Sequence, residues 1–369
     1  MNTLFSTLKL TSKHTLINRL AVAPMTTSQS NPDGTLSEDE IKWLERLASD
    51  NYGLVITCAA AISKKSIAFH NQLSVGTDDL LPSLTALANR LNKYKSKVVI
   101  QLCHAGSRAI PELTGTYAYS ASSYSMPQLP NFVAPKELTI EQINEIIEDF
   151  ANACQRVEKA GFAGIEFHGA NGYLFTQFIS KMTNLRNDEY GGSLENRSRF
   201  SREVVKACRN KVSKDFIIGF RISMENAWLE TGLDIDENIK IINWLKEDGI
   251  DYIHISNMSF DVPSVKYPDK IALQYVCQNV NKELPVICAG SITTLENANK
   301  ALEYGVSCVA FGRAAIGNAD LPKYFEKGES LPFTTPFEIE ILRKIAVSDT
   351  FIKYITAPGP LSSLKVIKQ

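Results

Sequence analysis

KAGFAGIEFHGANGYLFTQF, residues 159–178, decides how the rest of the chain is read. Helix-spaced apolar residues stop at Gly161, where a left-handed glycine can end a helix. The run Ala163–Phe167 follows, short and nearly unbroken, as a strand covered on both faces requires. His168, Asn171 and Tyr173 then stand within six residues at its C-terminal end. A strand finished in that way reads as one wall of an active site. Beyond it the chain turns at Gly191–Gly192 and enters a helix capped by Ser193.

Working outward, seven more runs have the same character: Leu20–Ala23, Leu54–Thr57, Val98–Leu102, Ile217–Arg221, Tyr252–Ser256, Val286–Ala289 and Cys308–Phe311. Segments with apolar spacing near 3.6 alternate with them: Glu38–Ser49, Leu80–Tyr94, Ile140–Lys159, Leu194–Asn210, Ile235–Glu247, Ile271–Val280 and Leu295–Tyr304. Ser37, Asp234 and Thr294 are well placed to cap three of these, and Gly249 and Gly305 to stop two. Eight strands alternating with helices predict an α/β fold, a (β/α)8 TIM barrel. A doubly wound sheet is disfavoured because Ala-Pro-Met-Thr-Thr follows the first strand where a G-x-G-x-x-G would stand. An N-terminal hairpin (Leu8–Leu10 with Leu16–Asn18) and a long loop after strand 3, Cys103–Lys136, complete the expectation. The barrel is expected to occupy residues 1–330 as one domain, with 331–369 a C-terminal extension packed on it.

Bulk properties exclude some functions. Of 369 residues, 39 are basic and 40 acidic, so neither nucleic acid nor an anionic membrane is an expected partner. The seven cysteines are scattered without C-x-x-C spacing, so no metal site is expected. No apolar run reaches the roughly 20 residues a membrane span needs, and the N-terminus lacks a signal-like core. The expectation is a reduced, cytoplasmic protein. A homo-oligomer is compatible with it.

In a barrel the chemistry collects at the C-terminal ends of the strands. Gly290, Ser291, Gly312 and Arg313 end the last two strands, where barrels often cradle a phosphate; tight βα turns would explain the two glycines equally well, but taken together the two ends favour a phosphorylated ligand. Arg221 would stabilise a developing negative charge on a ligand, or pair with Glu166 or Glu225 at the rim. Gln101 offers one acceptor and two donors, and with a cation across the cavity it suits a planar heterocycle such as flavin. His168 and Asn171 could polarise one carbonyl oxygen, with Tyr173 as proton donor; rim packing competes. His254 reads as a satisfied interior residue, and His104 and Arg108 remain unassigned.

These residues resemble the Old Yellow Enzyme family of FMN-dependent NAD(P)H oxidoreductases. The likeness rests on APMTT (Ala23–Thr27), IQLCHAGSRA (Ile100–Ala109), the long segment Gly164–Phe200, GFRIS (Gly219–Ser223), CAGSI (Cys288–Ile292) and FGRAAIGNADLP (Phe311–Pro322). The resemblance implies that Pro24, Met25 and Thr26 line the flavin and that Ala59 packs on its ring. It implies that Gln101 bonds the pyrimidine and Arg221 sits by N1 and O2, with the phosphate on Gly290, Ser291, Gly312 and Arg313. His168 and Asn171 would bind the substrate carbonyl and Tyr173 would protonate the α-carbon. Larger relatives carry a cysteine cluster for an iron–sulfur centre; no cysteine follows Cys308, so FMN alone is expected, with NADH or NADPH as reductant. One subgroup has His where Asn171 stands.

The function expected is reduction of the activated C=C bond of α,β-unsaturated carbonyl compounds, or of quinones or nitro compounds. The rivals are a phosphate-binding lyase or aldolase and a flavin-binding redox sensor without turnover. The first would want a lysine or a metal-binding carboxylate at a strand end, and none of the eight ends supplies one.

Overall fold

The structure, a computed structural model, describes residues 3–126, 132–225 and 232–357. The chain enters through an antiparallel hairpin, β1 (Leu8–Lys9) and β2 (Thr15–Leu16). Eight parallel strands then form a closed barrel. They are β3 (Leu20–Val22), β4 (Leu54–Ala61), β5 (Lys97–Cys103), β8 (Gly164–Gly169), β9 (Ile217–Ile222), β10 (Tyr252–Ser256), β11 (Val286–Ala289) and β12 (Cys308–Phe311). β12 pairs back onto β3 and so closes the ring. Two short strands, β6 (Tyr119–Ser120) and β7 (Lys136–Glu137), pair within the loop after β5.

The helices are α1 (Glu38–Ser49), α2 (Leu81–Leu91), α3 (Pro111–Thr114), α4 (Ile140–Ala160), α5 (Leu174–Ile179), α6 (Leu194–Lys211), α7 (Ile235–Asp248), α8 (Ala272–Asn279) and α9 (Leu295–Glu303). Four short ones follow among the described residues: α10 (Arg313–Gly317), α11 (Leu321–Glu326), α12 (Ile339–Lys344) and α13 (Asp349–Thr356). Ser37, Ser193, Asp234 and Thr294 each accept from a first-turn amide, as their positions implied. α2 is shorter than its apolar spacing suggests. A 3-10 turn, Asp78–Leu80, precedes it, and the helical bonds give out at Asn92.

The barrel interior is a small apolar cluster in which Ala21, Leu54, Ile56, Val99, Ile217, Tyr252 and Ile287 meet. Leu16 belongs to the same cluster, with Leu8 and Leu10 against it, so the hairpin plugs one end of the barrel. Gly219 has a steric reason to be glycine: a Cβ there would lie 2.0 Å from the Tyr252 ring. The larger core lies between strands and helices. Behind β8, Phe150, Phe167, Phe175, Phe200 and Phe220 pack ring on ring, with Phe150–Phe175 at 5.0 Å and Phe175–Phe220 at 5.2 Å. Each such ring, fully buried, stabilises the fold by roughly 2–3 kcal/mol. That cluster fixes the strand which carries His168.

Candidate active site

A cavity of about 510 Å³ opens at the C-terminal ends of the strands. Every residue singled out above as a site residue lines it: Pro24, Met25, Thr26, Ala59, Gln101, His168, Asn171, Tyr173, Arg221, Gly290, Ser291, Gly312 and Arg313. The described lining contains three arginines and no aspartate, glutamate or lysine.

Local backbone explains several placements. The β4–β5 register shifts between Ile56 and Ala59, and the Thr57 hydroxyl accepts from the Gln101 amide at 3.3 Å. That irregularity sets Ala59 beside Gln101. Asn171 (φ 60°) and Gly172 (φ 73°) are consecutive left-handed residues, which Asn and Gly tolerate best. They turn the chain sharply, so that Tyr173 comes back against His168, ring centroids 4.6 Å apart. Gly290 passes close to the chain after β10, where a Cβ would stand 2.7 Å from the Phe260 nitrogen. Ser291 donates to the Met258 carbonyl at 2.7 Å and accepts from Arg313 Nη2 at 2.5 Å.

Electrostatics sort the polar groups. His168 is buried, and burial, then the charges of Arg221 and Arg108, hold its pKa well below 6.5; the ring is neutral. Its Nδ1 has no hydrogen-bond partner among the described residues. Burial pushes the Tyr173 phenol up to about 12, against the pull of Arg108, so it keeps its proton. Arg221 donates from Nη2 to the Ser256 hydroxyl at 2.9 Å. Of its two suggested partners, Glu225 is taken up by Ser264 and the amides of Val265 and Lys266. Glu166 is buried inside the barrel and accepts from Gln101 Nε2 (2.7 Å) and Tyr252 (3.1 Å). His254 Nδ1 is 2.9 Å from the same carboxylate, so that histidine does lie in the barrel interior, but it is only half satisfied: its buried Nε2 has no partner among the described residues.

A family model for the NADH:flavin oxidoreductase / NADH oxidase family matches residues 3–331. The chain belongs to the Old Yellow Enzyme family. This family member is 34% identical over 320 residues to the probable NADH-dependent flavin oxidoreductase YqiG of Bacillus subtilis, with 85% of each chain covered. It is also 34% identical over 310 residues to the NADH:acrylate oxidoreductase of Vibrio harveyi, spanning 82% of this chain but 31% of that longer protein. The solved old yellow enzyme homologue from Zymomonas mobilis matches it with a TM-score of 0.81 at 25% identity, over 92% of this chain and 96% of that one. The protein is an NAD(P)H:flavin oxidoreductase with FMN as cofactor and NADH or NADPH as reductant.

The cavity suits that cofactor. Its volume falls in the range of ligand pockets, and cations with amide and hydroxyl donors face it with no carboxylate among the described lining residues to repel a phosphate. The unpartnered His168 nitrogen is a donor or acceptor waiting for a ligand.

Arg108, Phe351 and Tyr354 are among the lining residues to which sequence reasoning gave no role. Arg108, left unassigned, lies with its guanidinium carbon 4.5 Å from the Tyr173 ring centroid and donates from Nη1 to the Asn171 carbonyl. Phe351 and Tyr354 come from α13, in the extension to which no role was given. Trp43 meets Phe351 edge-on at 5.3 Å, Ser348 donates to Gln29, and Tyr354 is hydrogen-bonded to Thr26. The Ala357–Pro360 break falls mostly, and residues 358–369 wholly, outside the described residues. His104 has no such role: burial lowers its pKa to about 3, and Nδ1 accepts from the Gly106 amide at 3.0 Å, which shapes the loop.

The rest of the Gly164–Phe200 segment supports the wall. Arg186 is buried, clasps Asp188 at 2.6 Å, and donates to the Ala121 and Leu138 carbonyls. Arg197 bridges to Glu237 at 2.9 Å. Gln177 ties the two loops over the cavity together, accepting from the Ser107 amide and donating to the Gly172 carbonyl.

Proposed function

We propose that this protein is an ene-reductase, reducing the activated C=C bond of α,β-unsaturated carbonyl compounds with NADH or NADPH. One observation carries the reading: a neutral, buried His168 with an unpartnered Nδ1 stands against a Tyr173 whose phenol stays protonated. Bound FMN supplies the hydride equivalent that reaches the β-carbon. Everything else falls to the chain. Gln101 and Arg221 would hold the pyrimidine side of the ring, and Gly290, Ser291, Gly312 and Arg313 the phosphate. Pro24, Met25, Thr26 and Ala59 would pack along the ring.

His168 and Asn171 would donate to the substrate carbonyl oxygen and draw charge toward it. Losing one such donor typically costs about 3–4 kcal/mol of barrier. Tyr173 would deliver the proton to the α-carbon and regain one from solvent, which completes the addition of two hydrogens. A protonated phenol near pKa 12 is suited to giving a proton to a carbanion-like carbon, a far stronger base. Quinones or nitro compounds would be alternative acceptors at the same site. The seven buried, unpaired cysteines support a reducing, cytoplasmic setting.

The test is anaerobic turnover of 2-cyclohexenone, a maleimide and an unsaturated carboxylic ester with each nicotinamide. Saturated product equal to the nicotinamide consumed is expected. A flavin-loaded protein that oxidises NAD(P)H yet leaves every C=C intact contradicts the reading.

A further inference from the structure

Three guanidinium groups reach the cavity, and two of them, Arg221 and Arg313, are bonded to Ser256 at the end of β10 and to Ser291 after β11. The third is Arg108, from the loop after β5. Its guanidinium carbon sits 4.5 Å from the Tyr173 ring centroid, and Nη1 donates to the Asn171 carbonyl. Both partners are neutral. Among the described residues no carboxylate lies within ion-pair distance of it.

A guanidinium carries five N–H donors in a planar fork, and most remain for another oxyanion. The aromatic face and the backbone carbonyl hold the fork in place, so little side-chain freedom is lost when an anion binds. The charge is felt across the substrate end of the cavity: it adds to the lowering of the His168 pKa and opposes part of the rise that burial gives Tyr173 and Tyr354.

We propose that Arg108 is a specificity determinant that binds a carboxylate of the oxidising substrate, so that the preferred substrates are α,β-unsaturated carbonyl compounds bearing an anionic carboxylate. The carboxylate would lie on the Tyr173 side of the carbonyl that His168 and Asn171 hold. This rests on the ene-reductase reading above. The diphosphate of the nicotinamide dinucleotide offers the same oxyanion chemistry, and the experiment separates the two.

The experiment compares monomethyl fumarate with dimethyl fumarate, which share the double bond and differ by one carboxylate. The ratio of their kcat/KM values is measured for the wild-type holoenzyme, Arg108→Gln and Arg108→Lys. The ratio cancels any general loss through the Asn171 turn that Arg108 also holds. Arg108→Gln should reduce the preference for the monoester about 10- to 100-fold, the size of a charged hydrogen bond, and Arg108→Lys should restore part of it. Binding of 4-hydroxybenzoate against its methyl ester, followed by calorimetry, should change in parallel without turnover. In the same variants the rate of flavin reduction by NADH and NADPH should keep its concentration dependence. An unchanged monoester ratio, or a loss confined to nicotinamide binding, overturns the proposal. Wild-type enzyme that reduces neither ester contradicts the ene-reductase reading instead, and reduction of both without preference contradicts only the role of Arg108.

Discussion

Gln101 donates from Nε2 to Oε1 of Glu166 at 2.7 Å, inside a barrel where that carboxylate is fully buried. The bond orients the amide, since only its nitrogen end can face a carboxylate. Its carbonyl oxygen and second N–H are left for the cavity. Burial pushes Glu166 up, but His254, Arg221 and Gln101 together outweigh it and hold the group below the ordinary glutamate range. Glu166→Gln should therefore weaken FMN binding about tenfold and lower stability by about 1–3 kcal/mol, through the unpaired donors it leaves. Fluorescence of released FMN and denaturant melts measure the two effects. Unaltered values for both would show that the interior network does not orient Gln101.

All eight strands and the hairpin could be read from sequence because their residues obey local rules. Doubly buried strands are continuous in apolar residues, and helices begin at Ser, Asp or Thr caps that the structure uses. Residues at strand ends were legible for the same reason, since the barrel itself brings Gln101, His168, Arg221 and Gly312 to one mouth. Arg108 and Tyr354 were not. Their positions follow from how a loop and a tail fold back over the barrel, and no local pattern in either segment specifies that. The shift at Thr57 was equally hidden, because its cause is a hydroxyl standing in for a ladder carbonyl on the neighbouring strand.

Glu40 on α1 makes stability depend on pH. Burial raises its pKa to about 7, against a hydrogen bond from Ser30 that pulls the other way. Below the unfolded value of 4.5 both states hold the proton and nothing is lost. As pH rises from there to about 7 the unfolded chain releases the proton first, so stability falls; above that window the loss is constant, about 3 kcal/mol. Glu40→Gln should stabilise the protein at pH 8 and leave it little changed at pH 4 in urea melts. A variant destabilised equally at both values would contradict the assignment.

The C-terminal helix α13 should matter to substrate binding more than to the barrel. Phe351 is buried, lines the cavity and meets Trp43 edge-on. Phe351→Ala should cost about 3–5 kcal/mol of local stability and loosen that wall. Hydrogen exchange should show α13 opening with the barrel strands still protected, and the KM for an enone should rise. Protection lost evenly from α13 and the barrel would mean that the helix is an integral part of one cooperative unit.

The most direct test of the account separates the two half-reactions of Tyr173→Phe in an anaerobic stopped flow. The ring and its packing against His168 are kept while the phenolic proton is removed. Reduction of the flavin by NADH or NADPH should persist, and reoxidation by 2-cyclohexenone should slow by about 100-fold or more, the usual contribution of a positioned acid. Equal slowing of both half-reactions, or reoxidation at the wild-type rate, would contradict Tyr173 as the proton donor.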